Sequence, residues 1–356
     1  MIEEPGTIVV NATALDGSGA LTVLRQFLAA VPENDRIEWI VFISPDIEIE
    51  SPRATVRLVP VKGVKPMIQR LKWDMFGVRR WLRREGIKPA AAISLQNTGF
   101  RTGYNIPNYI YYHQPITLTP YRWSLFKKSE RKLWFYKNVY PIVIRLFLNR
   151  RTRIFVQLEY IKERFARKFR ISSNRIYVIS PLIHLPVAND IPPMDLPQDT
   201  INLFYPATAF SYKNHSVVID ALNRIKSRKF VLWLTVPEGT FAFAGERVRE
   251  VGVLSFDKMV SMYAAVDAVV FPSYIETYGL PLLEAAALGV PVIAADLPYA
   301  REVLDGYAGG TFVEYSNADE WAAAIGKISK KRRFPPFEPE RKASWDRLFA
   351  IITHKC

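Results

Sequence analysis

Short apolar runs alternate with amphipathic stretches along most of the chain. Thr7–Val10, Trp39–Ser44, Ala90–Leu95, Tyr109–Tyr112, Ile154–Val156 and Tyr177–Ile179 are compact runs of apolar residues, which predicts strands buried on both faces. Leu21–Ala30, Ile68–Arg84 and Tyr160–Phe169 carry a helical period between them. Strands alternating with helices predict a parallel sheet covered on both sides. The pattern then stops. Pro181, Pro186, Pro192, Pro193 and Pro197 fix the backbone and exclude helix and central strand, so this stretch is expected to be a linker. Alternation resumes at Ile201–Tyr205, Phe230–Thr235, Ala268–Phe271 and Val290–Ala294. A last helix is expected near Pro339–Thr353, after the breaker Pro335-Pro336. The reading is therefore α/β: a doubly wound domain over residues 1–180, a linker over 181–200, and a second doubly wound domain over 201–335. The closing segment, 336–356, is expected to cross back to the first domain. Open sheets of this kind bind ligands at the carboxyl ends of their strands.

Composition narrows the chemistry. The single cysteine, Cys356, excludes an intrachain disulfide and a cysteine-held zinc. His113, His184, His215 and His354 are scattered, and none has metal-ligand spacing. The most apolar stretch, Val139–Leu148, is too short for a membrane span and contains Arg145. The acidic start, Met1-Ile2-Glu3-Glu4, is unlike a signal peptide, so a cytoplasmic location is expected. The net charge of +14 is concentrated in one region. Residues 51–180 hold 28 basic and 5 acidic side chains, whereas 201–356 hold 18 and 17. A one-sign field of this kind attracts polyanions or an anionic membrane.

The densest chemical signal runs from Phe271 to Ile293. A strand ends at Phe271, a loop carries Glu276-Thr277-Tyr278-Gly279, and a helix starts near Leu280-Pro281. Proline is tolerated there because the first-turn N–H would be unpaired anyway. Free amides and the dipole at such a helix start favour an anion, and Gly279 allows close approach. Glu284 lies one turn in, among Leu282, Leu283, Ala285 and Ala286, so it is expected to be largely buried and in need of a partner.

Glu276 and Glu284, with Gly279-Leu280-Pro281 between them and Gly289-Val290-Pro291 after them, resemble the signature of family 4 retaining glycosyltransferases of the GT-B fold. The resemblance is strong over 201–330 and weaker before it. It implies two Rossmann-like domains facing across a cleft, the second holding a nucleotide-diphosphate sugar. By position, Glu276 would lie beside the donor sugar, Thr277, Tyr278, Gly279 and Leu280 would hold the sugar and phosphates, and Glu284 would hold the ribose. Lys213, with Asn214, would contact the diphosphate. Many relatives have an arginine six residues earlier, where this chain has Ala207. His113, just after a strand, would touch the donor sugar at the reaction centre, without acting as general base. The loop Gly17-Ser18-Gly19 would approach the donor phosphates. Gln96, Asn97 and Thr98, after another strand, are weaker candidates for acceptor hydroxyls. No metal or other cofactor is expected. The acidic-x-acidic stretch Asp46-Ile47-Glu48, followed by another acid, reads as a solvated turn.

The basic segments 62–88 and 121–153 interleave cations with Trp73, Trp81, Trp123 and Trp134, which suits a membrane interface. The resemblance then implies a lipid-linked glycan acceptor in bacterial surface-polysaccharide assembly, of O-antigen or capsule type. The enzyme would be peripheral on the inner face of the cytoplasmic membrane. GDP-mannose is one donor considered. The competing readings are a nucleic-acid-binding protein using the basic half, and a sugar-nucleotide-binding scaffold without transfer. An epimerase or a sugar phosphorylase on the same fold is a further alternative.

Overall fold

A computed structural model describes residues 6–181, 183, 185, 191–192, 194–226, 229–241, 245–338 and 345–353; the side chain of Ser18 is outside the description. The chain divides into two compact units, Met1–Leu182 with Arg341–Cys356, and Ile183–Glu340.

The first unit holds β1 (Gly6–Ala12), β2 (Ile37–Ile43), β3 (Val56–Pro60), β4 (Ala91–Ser94), β5 (Asn108–Tyr112), β6 (Thr152–Val156) and β7 (Ile176–Val178). They form a 7-stranded sheet in the order β3-β2-β1-β4-β5-β6-β7, with every pairing parallel. Helices α1 (Ser18–Ala29), α2 (Met67–Lys72), α3 (Val78–Arg84), α4 (Arg131–Asn138), α5 (Tyr140–Arg145) and α6 (Glu159–Phe169) connect them. Side chains alternate between faces along a strand. Ile8, Val10 and Ala12 of β1 thus enter one core layer, and Val9 enters another with Val78 and Leu82 of α3.

The second unit holds β8 (Ile201–Tyr205), β9 (Phe230–Leu234), β10 (Val248–Glu250), β11 (Ala268–Phe271), β12 (Val292–Ala295) and β13 (Gly310–Val313). This parallel 6-stranded sheet is ordered β10-β9-β8-β11-β12-β13. Its helices are α7 (His215–Arg224), α8 (Phe256–Ala265), α9 (Leu280–Ala287), α10 (Pro298–Val303) and α11 (Ala318–Gly326). Strand order reverses at β1/β4 in one unit and at β8/β11 in the other. Such reversals open a crevice at the carboxyl edge.

Three edge or near-edge strands are absent from the sequence reading: β3, β10 and β13. Each exposes part of its length, so polar residues interrupt the apolar run. The continuous amphipathic stretch 68–84 is also divided, by a π-turn at Trp73–Gly77 between α2 and α3. In the proline-rich segment, residues 182, 184, 186–190 and 193 lie outside the described residues, as do residues 339–344 of the expected last helix.

The described part of that helix, α12 (Trp345–Thr353), belongs to the first unit. Its buried Trp345, Leu348, Phe349 and Ile352 join the layer formed by β1, β2 and α1. Trp345 stacks on Tyr111 at 5.1 Å and meets Phe27 edge-on at 5.9 Å. Trp345→Ala should therefore cost about 3–5 kcal/mol, read as a lower urea midpoint for the first unit. A cost below about 1 kcal/mol would mean that α12 is peripheral to this core.

Candidate active site

At the β8/β11 reversal, two loops are joined by an ion pair and by hydrogen bonds. Lys213, in the turn after β8, donates to Glu276, in the loop after β11, at 2.5 Å. The side chains are only 16% and 13% exposed. Lys213 Nζ also lies 5.6 and 5.7 Å from the ring centres of Tyr212 and Phe271, a cation–π arrangement. The backbone is pinned around this pair. Tyr205 donates to the Lys213 carbonyl at 2.6 Å, the Tyr274 amide donates to the Tyr212 carbonyl at 3.0 Å, and Tyr299 donates to the Ser273 carbonyl at 2.6 Å. Burial, then the Glu276 charge, raises the Tyr205 and Tyr212 hydroxyl pKa values, so both stay protonated.

Asn214 adopts a left-handed backbone (φ 56°) at the start of α7, and its amide donates to the Tyr315 carbonyl at 2.6 Å. His215 is a buried ring between Tyr205 and Phe241. Burial pulls its pKa down to about 4, which makes it a neutral core residue. Ala207 is buried at the end of β8.

Gly279 stands before α9 at φ 89°, a left-handed conformation that favours glycine. A side chain there would also press on Leu282 and Tyr299 at 3.3 Å. Pro281 occupies the first turn. Glu284 is half-buried and accepts from the Tyr263 hydroxyl at 2.7 Å. Burial raises its pKa, and the Tyr263 hydrogen bond opposes the rise. Thr277 and Leu280 are half-buried, and Tyr278 is buried. The structure thus brings Lys213 and Glu276 together, with Thr277–Leu280 leading directly into α9.

Residues 201–331 match the family model described as Glycosyl transferases group 1. That match spans most of the second unit. A D-inositol 3-phosphate glycosyltransferase of Mycobacterium marinum is 41% identical over 100 residues, covering 26% of this chain and 21% of the relative. An O-antigen chain mannosyltransferase of Salmonella typhimurium is 35% identical over 77 residues, covering 22% and 21%. The chain spans about a fifth of the length of the curated relatives it matches. Among solved structures, Anabaena HepE in complex with UDP and glucose superposes with TM-score 0.63 at 15% identity, covering 98% of this chain and 95% of that one. That likeness establishes the fold, GT-B.

The first unit builds a different constellation at its own reversal. Asp74, in the π-turn, is buried and accepts from Asn11 Nδ2 at 2.7 Å and Gln96 Nε2 at 3.0 Å. Gln96 Oε1 accepts from the Thr13 hydroxyl and the Ala14 amide, both at 3.1 Å. The loops after β1 and β4 are thereby tied to one carboxyl. Gln96 thus spends its amide inside the unit. Asn97, left-handed at φ 70°, accepts from the His113 amide at 2.6 Å. Thr98 is buried. His113 Nε2–H donates to the Leu95 carbonyl at 2.9 Å, and burial lowers its pKa, so the ring is neutral with Nδ1 as acceptor. Gly17 is extended at φ −168°, and neither Gly17 nor Gly19 has an atom within 4 Å of where a Cβ would stand. Asp46 and Glu48 are exposed beyond β2, as expected of a solvated turn, and Asp46 accepts from the equally exposed Lys65 at 3.3 Å.

Asp74 escaped the sequence reading. Its signal was available: Asp74, Val78 and Leu82 fall at i, i+4 and i+8, which places an acid on an apolar face. Burial raises its pKa to about 7, against the hydrogen bond from Asn11, the Arg70 charge and the hydrogen bond from Gln96. Between 3.8 and about 7 the folded chain keeps a proton that the unfolded chain releases. The stability of the parent relative to Asp74→Asn should therefore fall as pH rises through that window, by up to about 1.4 kcal/mol per unit, and level off above it. Parallel pH-stability curves for parent and variant would refute the assignment.

Proposed function

We propose that the chain is a retaining glycosyltransferase that moves a sugar from a nucleotide-diphosphate sugar to a lipid-linked glycan in surface-polysaccharide assembly. The observation that carries this reading is the Lys213–Glu276 pair beside the start of α9, inside the segment that matches the family model. Lys213 and the first-turn amides of α9 offer positive charge to a leaving diphosphate, where charge grows as the sugar bond breaks. Glu276 supplies acceptors for sugar hydroxyls, and Glu284, oriented by Tyr263, supplies them for the ribose. His113 contributes a neutral ring and holds no proton ready for exchange. The acceptor hydroxyl gives its proton to the departing phosphate oxygen, so no separate base is required. The O-antigen relative supports the acceptor class and mannose as one donor sugar. The UDP bound to HepE makes UDP a donor base to screen beside GDP.

Membrane docking belongs to the same proposal, with altered anchors. Trp73 and Trp81 pack edge-on against Phe42 at 5.3 and 5.0 Å, and Trp123 and Trp134 are half-buried. The exposed large apolar side chains on the basic segments are Met67, Ile68, Phe76, Leu125, Phe126, Ile142 and Leu146, with Phe126 90% exposed. Among the described residues, no helix is long and apolar enough to cross a membrane.

Two outcomes follow. With excess EDTA present, transfer should persist in the parent. Lys213→Ala should lower kcat roughly 100-fold, while Glu284→Ala should chiefly weaken nucleotide-sugar binding, by roughly 10-fold or more. Turnover of Lys213→Ala near the parent rate, or a metal-reversible loss in EDTA, would contradict the mechanism. In sedimentation, the protein should favour phosphatidylglycerol over phosphatidylcholine vesicles, and Arg79→Ala, Arg80→Ala, Arg83→Ala and Arg84→Ala combined should abolish the preference. Equal binding to both vesicles by the parent would end the membrane reading.

A further inference from the structure

The opposite edge of the first unit's sheet carries charge that the transfer reaction does not use. Pro107 precedes β5, Arg150 and Arg151 precede β6, Arg153 lies within β6, and Arg175 immediately precedes β7. In a parallel sheet these positions share one edge, the amino edge, away from Asn11, Gln96 and His113. Together these five residues line a cavity of about 500 Å³.

Three of the four guanidinium groups have partners within the unit. Arg175 donates through Nε and Nη2 to the Thr152 carbonyl at 3.1 and 2.7 Å, and through Nη2 to the Asn149 carbonyl. Arg151 Nη1 donates to Asn105 Oδ1 at 2.5 Å and to its carbonyl at 3.3 Å. Arg153 lies 5.9 Å from the ring centre of Tyr109. Every one of these partners is neutral. Among the described residues, none of the four arginines forms an ion pair. Arginine stays charged in proteins, so four cations share one concavity and repel one another. Burial, then the Arg153 charge, pulls the Arg175 pKa below its usual value. A ligand with two or more negative charges relieves this repulsion. The planar fork, with donors left over on each group, matches phosphoryl oxygens.

We infer that the Arg150–Arg151–Arg153–Arg175 cavity is a second anion site, which binds a phosphoryl or pyrophosphoryl group outside the transfer site. The group can belong to a free phosphorylated molecule or to a lipid headgroup; the chemistry of recognition is the same. The site does not depend on the proposed transfer reaction.

Calorimetric titration with inorganic pyrophosphate tests it. The parent should bind, more weakly as salt rises. Arg150→Ala with Arg151→Ala should lose one class of binding by roughly 10-fold or more. That class should survive in Lys213→Ala, which removes a cation of the other unit. Arg150 and Arg151 are exposed, so the double variant should keep the parent's melting temperature. Arg150→Lys with Arg151→Lys keeps the charge, loses the fork and should bind with intermediate affinity. Phosphatidylglycerol vesicles distinguish the source. Vesicle binding that needs Arg150 and Arg151 and is displaced by pyrophosphate assigns a headgroup, whereas pyrophosphate binding without it assigns a free ligand. Unchanged pyrophosphate binding in the double-alanine variant overturns the proposal. So does a labelled oligonucleotide that binds far more tightly than pyrophosphate and loses that binding in the same variant.

Discussion

The contact between Lys213 and Glu276 is the constraint on which the geometry of the β8/β11 edge depends. Two loops leave adjacent central strands, β8 and β11, and this pair joins their side chains where the Tyr274–Tyr212 hydrogen bond joins their backbones. A mostly buried ion pair is a poor source of net stability, because desolvation offsets much of the attraction. It is a strong source of position, because either charge alone would be left in an aromatic, low-dielectric setting. The tyrosine hydroxyls on the Lys213 and Ser273 carbonyls fix the backbone beneath it. The left-handed Gly279 then turns the chain so that α9 begins directly after the loop.

The first unit solves the same problem with different chemistry. Its reversal is tied by amides and a hydroxyl around Asp74, a carboxyl that burial moves into the neutral pH range. A net around one titrating carboxyl changes its hydrogen-bond pattern near neutrality. The large positive excess of residues 51–180 lies elsewhere on this unit. Part of it is on α2 and α3, beside exposed apolar side chains, and part is the arginine cluster on the amino edge. Charge that reads as one block in the sequence thus divides between separate surfaces of the unit.

Central strands were legible because burial on both faces leaves an uninterrupted apolar run, as in Val9-Val10 and Ala268–Phe271. Edge strands β3, β10 and β13 were not, since one exposed side admits polar residues and hides the period. The Glu276–Glu284 motif was legible because glycine and proline mark its turn and helix start. That Lys213 meets Glu276 was not, as the two are 63 positions apart and only the pairing of β8 with β11 joins them. The packing of Trp73 and Trp81 was hidden for a related reason. A ring among arginines looks like a membrane anchor, but its contact with Phe42 depends on where β2 passes. The arginine cluster was invisible as a cluster, because Arg150 and Arg175 meet only once β6 and β7 are paired.

Hydrogen–deuterium exchange with and without UDP or GDP tests the central claim most directly: that the carboxyl edge at β8/β11 receives a nucleotide diphosphate. Protection should appear at Tyr212–Asn214 and from Ile275 into α9, for at least one of the two nucleotides. Protection confined to the first unit, or none with either nucleotide at saturating concentration, would contradict the account.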